Sequence, residues 1–148
     1  MTPSIARTQL TADYSIPKII NGGWQLATGH ALAHALDMKD AHNAFAELLD
    51  RGFDTFDCAD IYTVEAFYGQ IIAERRRAGL SLPQIHTKFV PDLKDLAHVD
   101  RAYVERVIER SLSRLGVERL DMVQFHWWDY DVPGMIDTAG ELMRLQEK

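Results

Sequence analysis

Short apolar runs alternate along the chain with longer stretches of helical periodicity. Ala41, Phe45, Leu48 and Leu49 recur at helical spacing and stop at Gly52. Phe53 to Asp57 then reads as a short buried strand. It leads into a helix whose Val64, Phe67, Tyr68, Ile71 and Ile72 form one apolar face and whose end is Gly79. A third strand spans Ile85 to Thr87 and terminates at Lys88. Asp100 is placed to cap the next helix, marked by Val104, Val107, Ile108, Ser111, Leu112 and Leu115 and closed by Gly116. Leu120 to Phe125 forms a fourth strand ending at His126, and Pro133 opens a last helical segment that reaches Lys148. Upstream, Ile16 to Ile20 is broken by Pro17 and stopped by Asn21-Gly22-Gly23, which suits the first strand of the series. Residues 1–15 carry no clear period and are expected to form an N-terminal arm.

Four strand–helix units follow one another, each of about 30 residues, the size of the βα repeat that builds parallel sheets. A doubly wound sheet would place G-x-G-x-x-G after its first strand, and Gly22-Gly23-Trp24 lacks that spacing. In a (β/α)8 TIM barrel, functional residues sit instead at the carboxyl ends of several strands. Trp24, Asp57 with Tyr62, Lys88 and His126 occupy four such ends in turn. The expected fold is therefore α/β of the parallel (β/α)8 type, with only about the first four βα units present, a half-barrel over residues 16–148. Such a piece would have open barrel edges and an apolar inner face without a partner, both of which invite self-association.

Composition narrows the function. The formal net charge of −6 disfavours a nucleic-acid partner, which needs a clustered basic surface. Arg75-Arg76-Arg77 reads as the solvated last turn of a helix. Cys58 is the only cysteine, so neither an intrachain disulfide nor a thiolate metal cluster can form. His30 and His34 stand four apart but lack a clear third ligand beyond Asp37 or His42, so no metal is expected. No run approaches the roughly 18 apolar residues that span a bilayer, and no signal-peptide pattern is present, which gives a cytoplasmic expectation and no membrane partner.

Taken singly, each strand-end residue has an ordinary explanation: Asp57 as a turn cap, Tyr62 as an aromatic opening a helix, His126 as a hydrogen-bonded core histidine. Lys88 resists that treatment. An ammonium at the end of a buried strand costs several kcal/mol unless paired, so it needs a carboxylate. Parallel strands lie ~4.8 Å apart, close enough for Asp57 to supply it. The ammonium would then favour phenolate at Tyr62 and lower its pKa, letting Tyr62 deliver a proton at neutral pH, while His126 orients the same substrate oxygen. Such a set fits protonation of a carbonyl oxygen as hydride arrives at carbon.

With these residues in place the chain resembles the aldo-keto reductases. The matching features are Trp24, the run Asp57-Cys58-Ala59-Asp60-Ile61-Tyr62 with Glu65 and Gly69 behind it, Lys88 closing IHTK, the SLxRLGxxxxD pattern from Ser111 to Asp121, and QFHW around His126. The resemblance implies a (β/α)8 barrel using NADP(H), with NAD(H) as the other choice, and a tetrad of Asp57, Tyr62, Lys88 and His126. It makes Tyr62 the proton donor in reducing aldehydes or ketones to alcohols, puts Gly23 and Asp57 near the cofactor, and lines the substrate pocket with Trp24 and Trp127. The family commonly has Gly after its tyrosine, where Thr63 stands here. Full members run to about twice this length, in keeping with a complete barrel. The chain is thus expected to be a fragment, inactive alone, without measurable NADPH binding. The alternative is a catalytically silent half-barrel acting by self-association or partner binding.

Overall fold

The computed structural model describes residues 5–27, 37–62 and 64–147; the His30 and His34 pair lies outside them. Strands β3 (Asn21–Gly22), β4 (Thr55–Asp57), β5 (Gln84–Phe89) and β6 (Met122–Phe125) lie side by side in chain order, and every pairing is parallel. Helices α1 (Met38–Asp50), α2 (Val64–Arg77), α3 (Arg101–Leu115) and α4 (Met135–Gln146) follow the four strands in turn. Parallel neighbours require such long crossovers, and a helix in each supplies the cover that the sheet needs.

Side chains alternate across a strand, and the register sorts them. Phe56 pairs with Ile85, Thr87 with Val123, and Phe89 with Phe125. These face the helices: Phe56 and Ile85 join Phe45, Phe67, Tyr68, Ile71 and Ile72 in one cluster, while Phe89 joins Val104 and Val107 in another. The other parity carries Thr55, Asp57, Gln84, His86, Lys88, Met122 and Gln124. The inner face is therefore mostly polar, which corrects the apolar face expected above. With strands of three to six residues in β4 to β6, the apolar positions are used up on the helix side.

The first strand also differs from expectation. Ile16 and Pro17 belong to a hairpin in which β1 (Arg7–Gln9) runs antiparallel to β2 (Ser15–Pro17), crossing the expected division at residue 15. Ile19 and Ile20 are exposed, and the parallel strand is Asn21–Gly22 alone. A hairpin partner ten residues away closes a small loop at little entropic cost, and Pro17, which has no N–H to donate, is tolerated on its edge. The hairpin is fastened to the sheet: Arg7 Nη1 reaches both oxygens of Asp54 at 3.1 and 3.0 Å, and the Tyr14 hydroxyl lies 3.0 Å from His86 Nε2. Burial pushes the Tyr14 phenol up to about 12, with Asp121 and Asp54 adding to it.

Helices α2 and α3 touch at backbone distance. A Cβ on Gly69 would collide with the carbonyl of Arg114, so a glycine is needed there for the two helices to approach this closely. Helix α4 is less enclosed. Leu142 and Leu145 pack toward Phe89, Val104 and Val107, but Ile136 and Met143 on the same helix are exposed. Among the described helices, α4 makes its main contact with α3, which covers one side of it.

Candidate functional site

At the carboxyl edge of the sheet, Lys88 Nζ donates to Asp57 Oδ2 at 2.6 Å and to the Cys58 carbonyl at 2.7 Å. An ammonium has three hydrogens, so one remains for another acceptor. The opposite carboxylate oxygen is also held, because Gln124 Nε2 donates to Asp57 Oδ1 at 2.7 Å. The Lys88 and Asp57 side chains are 23% and 25% exposed, partly desolvated but still reached from the mouth. Gln124 was not singled out in the sequence. The signal was available: residues 122, 124 and 126 share one parity at the end of a strand, and an amide on that parity has no apolar work to do.

Tyr62 stands on the turn between β4 and α2. Three backbone bonds shape this turn: Cys58 N–H to His86 O at 2.7 Å, Asp60 N–H to Lys88 O at 3.2 Å, and Tyr62 N–H to Ala59 O at 2.9 Å. The phenol is half-buried, and its pKa is raised, first by burial and then by Asp57 and Cys58. The expected lowering by Lys88 is therefore corrected. Two of the ammonium's hydrogens are committed to Asp57 and Cys58, and the Asp57 carboxylate opposes a second negative charge nearby.

Behind the turn lies a buried ionic cluster. Asp60, 2% exposed, accepts from Val90 N–H at 2.9 Å and from Arg110 Nη2 at 2.9 Å. Glu65, fully buried, accepts from the Thr87 hydroxyl at 2.7 Å. Arg114 Nη1 bridges the two ends, donating to Asp60 O at 2.7 Å and Glu65 Oε2 at 3.3 Å. Asp60 is thus occupied with holding the turn. Burial pushes its carboxyl up to about 6, against the lowering effects of Val90 N–H and Arg110. A carboxyl raised on folding binds its proton more tightly in the native state. The stability this confers is complete below the unfolded value of about 3.9 and is lost as pH rises through the folded one. The contribution of Asp60 to unfolding free energy is expected to fall by about 2 kcal/mol from pH 4 to 7, read in denaturant titrations as the difference between the native chain and Asp60→Asn. A difference of the opposite sign would show that the Arg110 pairing outweighs desolvation.

His126 continues the ladder, its N–H donating to Phe89 O at 3.0 Å, and its exposed ring meets Trp128 edge-on at 4.4 Å. The two tryptophans after β6 part company. Trp127 is 4% exposed, packs on Phe125, and gives its indole N–H to Val132 O at 3.2 Å. Trp127 thereby holds the loop after β6, and Trp128 beside it is 47% exposed. Trp24 begins a 3₁₀ turn just beyond β3 and is equally exposed. Gly23 N–H donates to Asp57 O at 2.7 Å, and a Cβ on Gly23 would come within 2.5 Å of the Tyr68 hydroxyl oxygen. Packing thus explains the glycine at 23. Gly22, the register partner of Asp57, leaves open space where a Cβ would stand. Among the described residues no group of three or more His, Cys, Asp or Glu is arranged to hold a metal ion, and His42 Nε2 lies 2.6 Å from Glu74.

The model of the Aldo/keto reductase family matches residues 18–148. The chain belongs to that family. Its relatives include the aldo-keto reductase YhdN of Bacillus subtilis, 30% identical over 147 residues that cover 95% of this chain and 41% of the relative. The aldo-keto reductase family 1 member A1-A of Danio rerio is 29% identical over 122 residues, 82% of this chain and 34% of the relative. In structure, this aldo/keto reductase chain matches an aldo-keto reductase of the silkworm, Bombyx mori, complexed with NADPH, at TM-score 0.76 and 22% identity. That match covers 97% of this chain and 45% of the silkworm protein. The holo aldo-keto reductase of Bacillus halodurans gives TM-score 0.73 and 23% identity, with 97% and 47% covered. The family member described here therefore spans less than half of these relatives and folds as a half-barrel of the (β/α)8 type. No helix among its described residues is long and apolar enough to cross a membrane.

Proposed function

We propose that this chain carries the proton-delivering half of an NADP(H)-dependent reductase that converts aldehydes or ketones to alcohols. The observation that carries the reading is the Lys88–Asp57 pair at 2.6 Å, set at the carboxyl edge of adjacent strands beside the turn that bears Tyr62. The raised pKa of Tyr62 keeps its phenol protonated at neutral pH, the state a general acid needs. Lys88, anchored through two of its hydrogens, steadies the polar floor under that phenol and keeps one donor free. His126 hydrogen-bonds the carbonyl oxygen and orients it, while Trp24 and Trp127, with the exposed Trp128 beside it, wall the mouth.

NADPH, when bound, supplies the hydride. Gly22, the register partner of Asp57, puts no side chain on the inner parity, and Asp57 with the Gly22-Gly23 backbone would hold the nicotinamide end of such a cofactor. The silkworm relative complexed with NADPH supports this choice of cofactor over NAD(H). Which carbonyl compound is reduced depends on loops that vary independently of the fold.

The test fuses residues 1–148 to the C-terminal half of the Bacillus subtilis relative and follows NADPH consumption with a panel of aldehydes and ketones. The fusion is expected to turn over, and the unfused chain to give neither turnover nor saturable NADPH fluorescence. Micromolar NADPH binding by the unfused chain would contradict this division of labour. A fusion that folds and binds NADPH but reduces nothing would sink the reductase reading. A second reading, a silent half-barrel acting by association, is favoured by the outer strands. Among the described residues β3 and β6 each pair on one side only, leaving backbone groups open.

A further inference from the structure

The tetrad assigned above leaves one polar side chain at the mouth without a role. Gln124 lies on β6, and Asp57 on β4 is two strands away, with Lys88 on β5 between them. Lys88 is the register partner of Gln124, and Asp57 that of His86. The Gln124 amide nevertheless reaches across and donates to Asp57 Oδ1 at 2.7 Å, while Lys88 holds Oδ2 at 2.6 Å. We infer that Gln124 is a positioning residue that locks the Asp57 carboxylate onto Lys88, and so ties the strand bearing His126 to the Asp57–Lys88 pair. The inference rests on the reductase reading for its functional meaning, but its geometry and its test do not require turnover.

The chemistry favours an amide at this position. A carboxylate rotates about its last bond with little resistance, and a single partner fixes one oxygen only. A second donor on the other oxygen removes that freedom. A cationic donor at 124 would compete with Lys88 for the carboxylate, and a carboxylate there would repel it. A neutral amide fixes Asp57 and leaves its whole charge for Lys88. Because His126 follows two residues later, with its N–H on Phe89 O, the same strand end carries both the orienting imidazole and this brace.

The experiment reads Lys88 directly. Trinitrobenzenesulfonate labels the lysines of the folded chain, and site-resolved mass spectrometry gives the rate at Lys88. Gln124→Met, close in shape but without the amide, is expected to raise that rate about fivefold, the factor that corresponds to one net hydrogen bond. Rates at Lys18, Lys39 and Lys94 should stay unchanged. In an Asp57→Ala background, Gln124→Met should add nothing, because Gln124 acts through that carboxylate. No acceleration in the otherwise native chain, or equal acceleration in both backgrounds, would overturn the inference; the latter would mean that β6 has merely loosened. Should the variant fail to fold, the unaltered chain still decides: one proton of the Gln124 side-chain amide is expected to exchange slowly with deuterium by NMR, and fast exchange of both would overturn the proposal. A chain that labels as expected but never reduces a carbonyl after fusion would sink the reductase reading alone.

Discussion

Tyr62→Phe in the fused, complete barrel lowers carbonyl reduction by about 10²–10⁴-fold, the range that a positioned general acid contributes. NADPH binding is expected to change little, because the lost hydroxyl belongs to proton delivery and the phenyl ring still packs against the cluster of Phe45, Phe56 and Phe67. The pH profile separates this role from a structural one. Tyr62 must be protonated to act, so reduction holds through neutral pH and falls as pH rises through its pKa, which burial, Asp57 and Cys58 raise above the ordinary value of 10. In Tyr62→Phe that alkaline limb disappears, and the residual rate follows whatever acid substitutes. Steady-state kinetics with a saturating aldehyde checks both points. A variant that keeps its turnover would remove Tyr62 from the mechanism, and with it the proposed function.

The direction of that pKa illustrates what could be read from the chain and what could not. That Lys88 needs a carboxylate follows from one lysine at the end of an apolar run, and strand spacing leaves Asp57 as the natural partner; the 2.6 Å contact has the form that argument requires. How the ammonium distributes its three hydrogens depends on the backbone at Cys58, which no periodicity reports, so the sign at Tyr62 came out reversed. The helices were legible because each carries one apolar face and a stop, as with Val104, Val107 and Leu115 before Gly116. The first strand was not, because Ile16 and Pro17 satisfy a hairpin as well as a parallel strand. That the loop buries the Trp127 indole was not legible either, because it depends on Val132 and Gly134 several residues on. The polar inner face was visible in the strand itself, where Ile85, Thr87 and Phe89 alternate with His86 and Lys88.

Arg114→Met is expected to cost about 3–5 kcal/mol of stability, more than the change at its partner Glu65, and the reason is an asymmetry of exposure. The Arg114 side chain is 36% exposed, whereas that of Glu65 is fully buried. Removing the arginine strands a buried carboxylate with only the Thr87 hydroxyl to answer it, and also frees the Asp60 carbonyl. Removing the charge at Glu65 instead leaves Arg114 able to turn toward water, so Glu65→Gln should cost about 1–2 kcal/mol. Thermal denaturation should show a fall of about 10 °C or more for Arg114→Met at this chain length, and well under half of that for Glu65→Gln. The reverse order would mean that the pair is held chiefly by Arg114 packing. Because Arg114 grips residues 60 and 65, which bracket Tyr62, the same substitution in the fused barrel should lower turnover even at temperatures where the fold survives. Substituting both partners, as Arg114→Met with Glu65→Leu, removes the stranded charge and should recover much of the lost stability. The remainder is the cost of leaving the Thr87 hydroxyl, 1% exposed, without an acceptor.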